Sequence, residues 1–339
     1  MNLTFYSYTL KLKHKFVLSK HSRTTTPIVL TEIEHKGIKG YGEASLPPYL
    51  GETQEGVINF LSKVDLNKYD DPLKIEEILN EIDLIEPGNN AAKASVDIAL
   101  HDLAGKILEM PLWKYFEIDS NKTPESSFTI GIDSVEMIEQ KLDEAKNFKI
   151  LKIKLGAGND KEILEAVRSK TNTPIIVDVN QGWSNKHLAL DMIEWLAEKN
   201  VKLVEQPLPV DHLDDIAWLN EQSPLPIFAD EAVQRLCDLK NVEGVYSGIN
   251  IKLMKSTGLN EAYKMILLAK EMGLQTMLGC MTETSCAISA AAQISSLVNW
   301  ADLDGAMLIS NDIFDGMKII NGKITLPERN GIGIVKKLV

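Results

Sequence analysis

The sequence predicts an α/β fold: a (β/α)8 barrel of the TIM type joined to a smaller α+β domain. Three observations carry this expectation. From about residue 125 onward, strand and helix patterns alternate through eight strands. Within that stretch, one charged residue recurs at the C-terminal end of successive strands. Before residue 115 the order differs, with strands first and helices after them, which is the grammar of an α+β unit.

Composition sets the outer limits. The chain has 339 residues, 44% hydrophobic and 25% charged, enough for one large or two smaller domains with a sizeable core. A net charge of −12 argues against nucleic acid and anionic membrane as partners, since both are bound by clustered Lys and Arg. Cys237, Cys280 and Cys286 are odd in number and form no CxxC, which suits a reducing compartment and offers no zinc site. Lys11, Lys13, His14 and Lys15 interrupt the first apolar run, so it does not read as a signal peptide. No stretch reaches the roughly 18 apolar residues of a membrane helix. The expectation is a cytoplasmic protein.

The first 45 residues read as strands at Leu3–Phe5, Tyr8–Leu12, Pro27–Ile33 and Gly37–Glu43. The polar segment Leu18–Thr26 reads as a mobile loop, and Pro47–Gly51 as another. Helical patterns follow at 53–64, 73–85 and 90–109. The last places Ala92, Val96, Ala99, Leu100 and Leu103 at helical spacing behind cap candidates Asn89 and Asn90. Barrel strands are expected at 127–130, 150–155, 174–179, 203–205, 226–229, 248–253, 275–278 and 301–304. Helical patterns separate them, with only a short one near 232–241 after the fifth strand. The tail from 306 returns to strands and turns, Asn321-Gly322 being a hairpin signal. It is expected to pack back onto the first domain.

The charged ladder turns the fold into chemistry. Lys154, Asp178, Glu205, Asp230 and Lys252 stand at the ends of strands two to six, with Asp302 and Asp304 at strand eight. The intervals are 24, 27, 25 and 22 residues, then 50 to Asp302. One βα unit takes roughly 30 residues or slightly fewer, so one strand is skipped. Parity agrees. Lys152 with Lys154, Asp178 with Asn180, Asn250 with Lys252 and Asp302 with Asp304 each lie two apart and share a strand face. In a barrel the face opposite the helices is the interior, and the C-terminal mouth holds the chemistry. A single strand-end Asp is ordinarily a cap, and a single strand Lys is ordinarily solvated. Seven such positions in phase point to one cup.

Asp178, Glu205 and Asp230 come from adjacent strands and would repel without a cation. An all-oxygen set with room for water or substrate suits Mg²⁺, with Mn²⁺ second. Lys154 and Lys252 flank that set. A desolvated lysine beside a divalent cation has its ammonium form disfavoured and can act as a base. A metal between two opposed bases suits abstraction of a proton α to a carboxylate, stabilisation of the enediolate, and return of a proton to either face.

Lys152-Ile153-Lys154, Asp178-Val179-Asn180, Glu205-Gln206-Pro207, Ala229-Asp230-Glu231 and Asn250-Ile251-Lys252-Leu253 resemble the motif series of the enolase superfamily, muconate-lactonizing subgroup. The resemblance spans essentially the whole chain. It implies a modified TIM barrel at 116–305 and an α+β capping domain at 1–115, completed by the tail 306–339. It further implies Asp178, Glu205 and Asp230 as metal ligands and Lys154 and Lys252 as the acid/base pair. Lys152 is implied to contact the substrate carboxylate.

Within the subgroup, Asp302-Leu303-Asp304-Gly305 is similar to the paired-carboxylate motif of dipeptide epimerases, which takes the substrate's free α-ammonium. Two carboxylates in a cup suit a cationic group. Cys280 and Met281, in the segment 279–284, resemble that family's substrate-lining residues, although packing is the plainer account of them. In the L-Ala-D/L-Glu epimerases an arginine of the first cap loop pairs the glutamate side chain. Arg23 can fill that slot here, His21 competes for it, and a solvated loop arginine is the plain alternative.

The resemblance thus implies a Mg²⁺-dependent isomerase acting on a small dipeptide, Ala–Glu or another Xaa–Glu, in a setting of murein-peptide recycling. Two alternatives remain. One is a lyase or cycloisomerase of the same subgroup, of the o-succinylbenzoate synthase or muconate cycloisomerase type, against which Asp302 and Asp304 argue. The other is a non-catalytic ligand-binding barrel. A homo-oligomer is common for barrels of this size, but no residue decides it.

Overall fold

The structure is a computed structural model that describes residues 1–17, 22–46, 50–132 and 134–338. At the N-terminus, β1 (Asn2–Val17), β2 (Ser22–His35) and β3 (Ile38–Ser45) form an antiparallel sheet in that order. The two runs expected at Leu3–Phe5 and Tyr8–Leu12 are one strand, because pairing with β2 is continuous from Asn2–Glu34 to Lys11–Thr25. Ser22–Thr26 belongs to β2 and is not part of a loop. Its main chain pairs with β1 on both sides of an irregularity between Lys11 and Phe16. The hairpin therefore extends past the body of the sheet as a two-stranded arm.

Helices α1 (Gln54–Leu61), α2 (Ile75–Asp83) and α3 (Asn90–Ile107) follow, then the single turn α4 (Leu112–Tyr115). The sequence showed an apolar stripe on α3, yet every residue from Ala91 to Gly105 is buried. The sheet covers one side, and a barrel helix lies on another. Gly40 and Gly42 permit the close approach: a β-carbon at Gly42 would sit 1.8 Å from the Ser95 carbonyl oxygen, and one at Gly40 2.1 Å from that of Ala99.

Eight parallel strands then run in sequence order. They are β4 (Phe128–Ile130), β5 (Leu151–Lys154), β6 (Ile175–Asp178), β7 (Val201–Glu205), β8 (Ile227–Ala229), β9 (Gly248–Ile251), β10 (Gln275–Gly279) and β11 (Trp300–Asp302). A bridge between Ser126 and Ala301 closes the ring. The covering helices are α5 (Val135–Glu144), α6 (Asp160–Arg168), α7 (Lys186–Ala197), α8 (Leu213–Gln222), α9 (Leu259–Glu271) and α10 (Ser285–Ala292). A 3₁₀ turn, Leu236–Asn241, stands where the short helix after the fifth strand was expected.

The barrel interior is layered. Ile176, Leu203, Phe228 and Met277 form a small apolar cluster separate from the main core. Each of the first three lies two residues before an acid: Asp178, Glu205 and Asp230. With period-two alternation, those acids point into the same interior one layer nearer the mouth. The tail adds β12 (Phe314–Asp315) paired with β15 (Val335–Lys336), and the hairpin β13 (Lys318–Ile320)–β14 (Lys323–Thr325). Asn321 and Gly322 both have positive φ, as a tight hairpin turn needs. The Phe314 ring lies 5.6 Å from that of Tyr41 in β3. Among the described residues, no helix is long and apolar enough to cross a membrane.

The N-terminal sheet also reaches into the barrel. The Glu43 carboxylate accepts from the backbone N–H of Thr284 at 2.9 Å and from the Thr284 hydroxyl, at the start of α10. Burial outweighs those bonds and pushes the Glu43 carboxyl up to about 7. A carboxyl whose folded-state pKa is raised stabilises the fold most below its unfolded value and loses that contribution as pH rises through the folded one. Stability should therefore fall by about 3 kcal/mol between roughly pH 4.5 and 7 on account of this group. Glu43→Gln should flatten that part of the profile. The check is the difference in melting temperature between the two proteins across pH 4–8, in which titrating groups remote from Glu43 cancel. Parallel profiles would contradict the expectation.

Candidate active site

Strand register builds the site. Parallel pairing aligns Lys154 with Asp178, and Asp178 with Glu205. Asp230 and Lys252 follow directly on the next two strands. A carboxylate oxygen from each of Asp178, Glu205 and Asp230 lies within 4.8 Å of the other two, and all three side chains are buried. Lys154 Nζ donates to Asp178 Oδ2 at 2.6 Å, and Lys252 Nζ to Asp230 Oδ2 at 2.6 Å. The two lysines thus stand at opposite ends of the carboxylate row. Lys152 Nζ lies 3.1 Å from Asp178 Oδ2, 2.8 Å from Glu205 Oε2 and 2.9 Å from Asp302 Oδ2.

The charges shape one another. Burial alone would lower the Lys152 pKa, but Asp302, Glu205 and Asp178 hold it well above the usual lysine range. Burial raises Asp178, yet Lys154 and Lys152 outweigh it and bring the carboxyl down to about 2. Glu205 is pushed up to about 8 by burial and by the charge of Asp178. Despite its 2.8 Å approach to Lys152, Glu205 Oε2 accepts no hydrogen bond.

Asp302 and Asp304 sit where β11 closes onto β4. Ser127 Oγ donates to Asp302 Oδ1 at 2.6 Å, and the Thr129 N–H to Asp304 Oδ2 at 2.6 Å. Burial and the neighbouring Asp302 charge push Asp304 up to about 7, while Lys152 overcomes burial to keep Asp302 low. Near neutral pH Asp302 is ionised and Asp304 is partly ionised, so the pair carries between one and two negative charges.

One cleft is lined by Lys152, Lys154, Lys252, Cys280, Met281, Asp302, Asp304 and Arg23, together with Asn180, Thr129 and Thr282. Arg23 comes from β2 in the hairpin arm, is half-buried, and donates to Thr282 Oγ1 at 3.0 Å. It is therefore a pocket residue, in place of the solvated loop arginine considered from sequence. His21 lies outside the described residues.

Three supporting residues were given no role from the sequence. Lys255 is buried and donates to Asp230 Oδ1 at 2.6 Å and to the carbonyls of Asp230 and Asn250. It stands three residues past Lys252, outside the period-two signal. Asn250 Nδ2 donates to Glu205 Oε1 at 2.8 Å, which its shared face with Lys252 foreshadowed. Gln206, at φ 39°, accepts through Oε1 from the N–H groups of Asp230 and Ala232. It sits in a left-handed conformation that costs a non-glycine residue roughly 1–3 kcal/mol.

Family models agree with this geometry. Residues 134–337 match the model described as "Enolase C-terminal domain-like", and residues 3–116 match "Mandelate racemase / muconate lactonizing enzyme, N-terminal domain". The chain belongs to the enolase superfamily.

Within this superfamily the chain is 56% identical to an L-Ala-D/L-Glu epimerase of Bacteroides thetaiotaomicron, over 99% of this chain and 88% of that protein. It superposes on the substrate-liganded L-Ala-D/L-Glu epimerase of Bacillus subtilis with a TM-score of 0.91, at 26% identity, covering 100% of this chain and 99% of that one. A dipeptide epimerase from Cytophaga hutchinsonii, crystallised with Mg and D-Ala-L-Val, gives a TM-score of 0.92 at 26% identity, covering 99% of this chain and 95% of the other. The modified TIM barrel with an N-terminal capping domain is the superfamily's architecture, and this enolase-superfamily chain has it.

Proposed function

We propose that the protein is a dipeptide epimerase that inverts the α-carbon of the C-terminal residue of Ala–Glu or another Xaa–Glu dipeptide. The observation that carries this is the placement of two carboxylates, Asp302 and Asp304, in the same cleft as two lysines at opposite ends of a carboxylate row. The 56% identity to a named L-Ala-D/L-Glu epimerase supports the same reading.

Asp178, Glu205 and Asp230 fit a divalent cation, Mg²⁺ first and Mn²⁺ second. They are all-oxygen donors clustered within 4.8 Å, with Glu205 Oε2 accepting no hydrogen bond. When bound, the cation supplies Lewis-acid stabilisation of negative charge on the substrate carboxylate. The remaining steps belong to the chain. Asp302 and Asp304 take the α-ammonium and fix the N-terminal end. Lys152 lies against the carboxylate that gains charge. One of Lys154 and Lys252, in its neutral form, removes the α-proton, and the electron pair passes into the carboxylate as an enediolate. The other lysine, as ammonium, delivers a proton to the opposite face of the same carbon. Arg23 pairs the side-chain carboxylate of the epimerised glutamate.

A lyase or cycloisomerase would use the same lysines, but its substrates bring no ammonium for Asp302 and Asp304. The setting we propose is cytoplasmic turnover of murein-derived dipeptides, which carry the Ala–Glu pair. A dipeptide library incubated with the protein and Mg²⁺ in D₂O, read by mass spectrometry, tests the activity. One deuterium should enter Ala–Glu at its α-carbon as the diastereomer forms. Absence of label in every Xaa–Glu and Xaa–Ala dipeptide would sink the reading.

A further inference from the structure

The turn after β10 is held from the capping side at several points. Ser45 Oγ donates to the Thr282 carbonyl at 2.7 Å, and Glu43 accepts from the Thr284 N–H at 2.9 Å. Within the turn, the Met281 N–H donates to Glu283 Oε1 at 3.0 Å. Thr282 is only 3% exposed. Its hydroxyl oxygen is therefore a fixed point on the cleft wall, and the Arg23 guanidinium bonds to it at 3.0 Å. Arg23 is itself rooted in β2, where its main chain pairs opposite Phe16.

We propose that Thr282 is a specificity-determining positioning residue, whose hydroxyl holds the Arg23 guanidinium ready for the acidic side chain of the substrate's C-terminal residue. This rests on the dipeptide epimerase reading and on the part given there to Arg23. The gain comes from preorganisation. A free arginine samples many rotamers and loses that freedom when it captures a carboxylate. An acceptor on a rigid turn removes much of that freedom before the substrate arrives. The planar guanidinium has five N–H donors, and the bond to Thr282 uses only one of them. A valine at this position keeps the shape of threonine and removes the acceptor.

The experiment compares L-Ala-L-Glu with L-Ala-L-Gln, which has the same shape and no charge, by kcat/KM in Mg²⁺. Thr282→Val should lower the Glu-to-Gln selectivity about fivefold, the scale of immobilising one long side chain. The loss should appear in KM for the Glu dipeptide rather than in kcat. Thr282→Ser, which retains the hydroxyl, should restore the wild-type ratio. In an Arg23→Ala background, Thr282→Val should cause no further loss of selectivity. If Thr282→Val does not fold, Thr282→Ala carries the same comparison. Wild-type selectivity in the valine or alanine variant, or equal loss on both dipeptides, overturns the proposal. So does a wild-type protein that epimerises both dipeptides without preference, an outcome that leaves the epimerase reading standing. A wild-type protein that labels no dipeptide fails that reading instead.

Discussion

Lys154→Ala and Lys252→Ala will each abolish epimerisation of Ala–Glu, with kcat falling by about 10³-fold or more, on the scale of losing a positioned acid or base. The two variants should differ in what survives. With Lys252 gone, Lys154 can still take a proton from one face, so one diastereomer should exchange its α-hydrogen with D₂O without conversion to the other. Lys154→Ala should leave the complementary exchange. NMR of each diastereomer in D₂O assigns each lysine to its face. Full activity in both variants would eliminate the two-base mechanism. Each substitution also leaves a buried carboxylate, Asp178 or Asp230, short of one cation. Circular dichroism of the variants should accompany the kinetics, because an unpaired buried charge destabilises.

Chelation should have an effect of the same order. Treatment with EDTA should reduce turnover to background, and Mg²⁺ should restore it. Metal binding also has a readout that needs no substrate. At a concentration 100 times its Kd, a ligand specific for the folded state stabilises by about 2.7 kcal/mol, which is a shift of several degrees in Tm for a chain of this size. Asp178→Asn and Glu205→Gln should each abolish most of that shift, since each removes a donor from a three-carboxylate set. A Tm indifferent to Mg²⁺ in the unaltered protein would count against the carboxylate row as a metal centre.

The ladder of charges was legible because two regularities reinforce each other. A strand alternates its faces every second residue, and a βα unit returns to the mouth after 22 to 27 residues in this chain. The floor of Ile176, Leu203 and Phe228 follows from the same parity. What escaped lies outside those periods. Lys255 reaches Asp230 from the turn after β9, where no alternation operates. Ser22–Thr26 has no apolar alternation and so read as a loop, although the partner strand supplies its conformation. The burial of α3 on every side from Ala91 to Gly105 was hidden because alanine and serine carry little hydropathy signal, while Gly40 and Gly42 admit the helix to the sheet. Thr282 and Glu43 matter only through partners 259 and 241 residues away, a distance over which local pattern carries no information.

The closing bridge of the barrel has a consequence for how this protein can change over time. At the junction of β4 and β11 the main chain meets at Ser126 and Ala301. The bonds from Ser127 and Thr129 to Asp302 and Asp304 fasten the same seam. The acids proposed to read the substrate's amino end are thus also stitches in the ring. A lineage that abandons them for a substrate without an ammonium group gives up those side-chain bonds and keeps only the main-chain pairing of Ser126 and Ser127 with Ala301. Arg23, on its outlying arm, can be exchanged without touching that closure. Preference for the second residue is therefore the trait free to drift, and preference for a free amino terminus is the one tied to the fold.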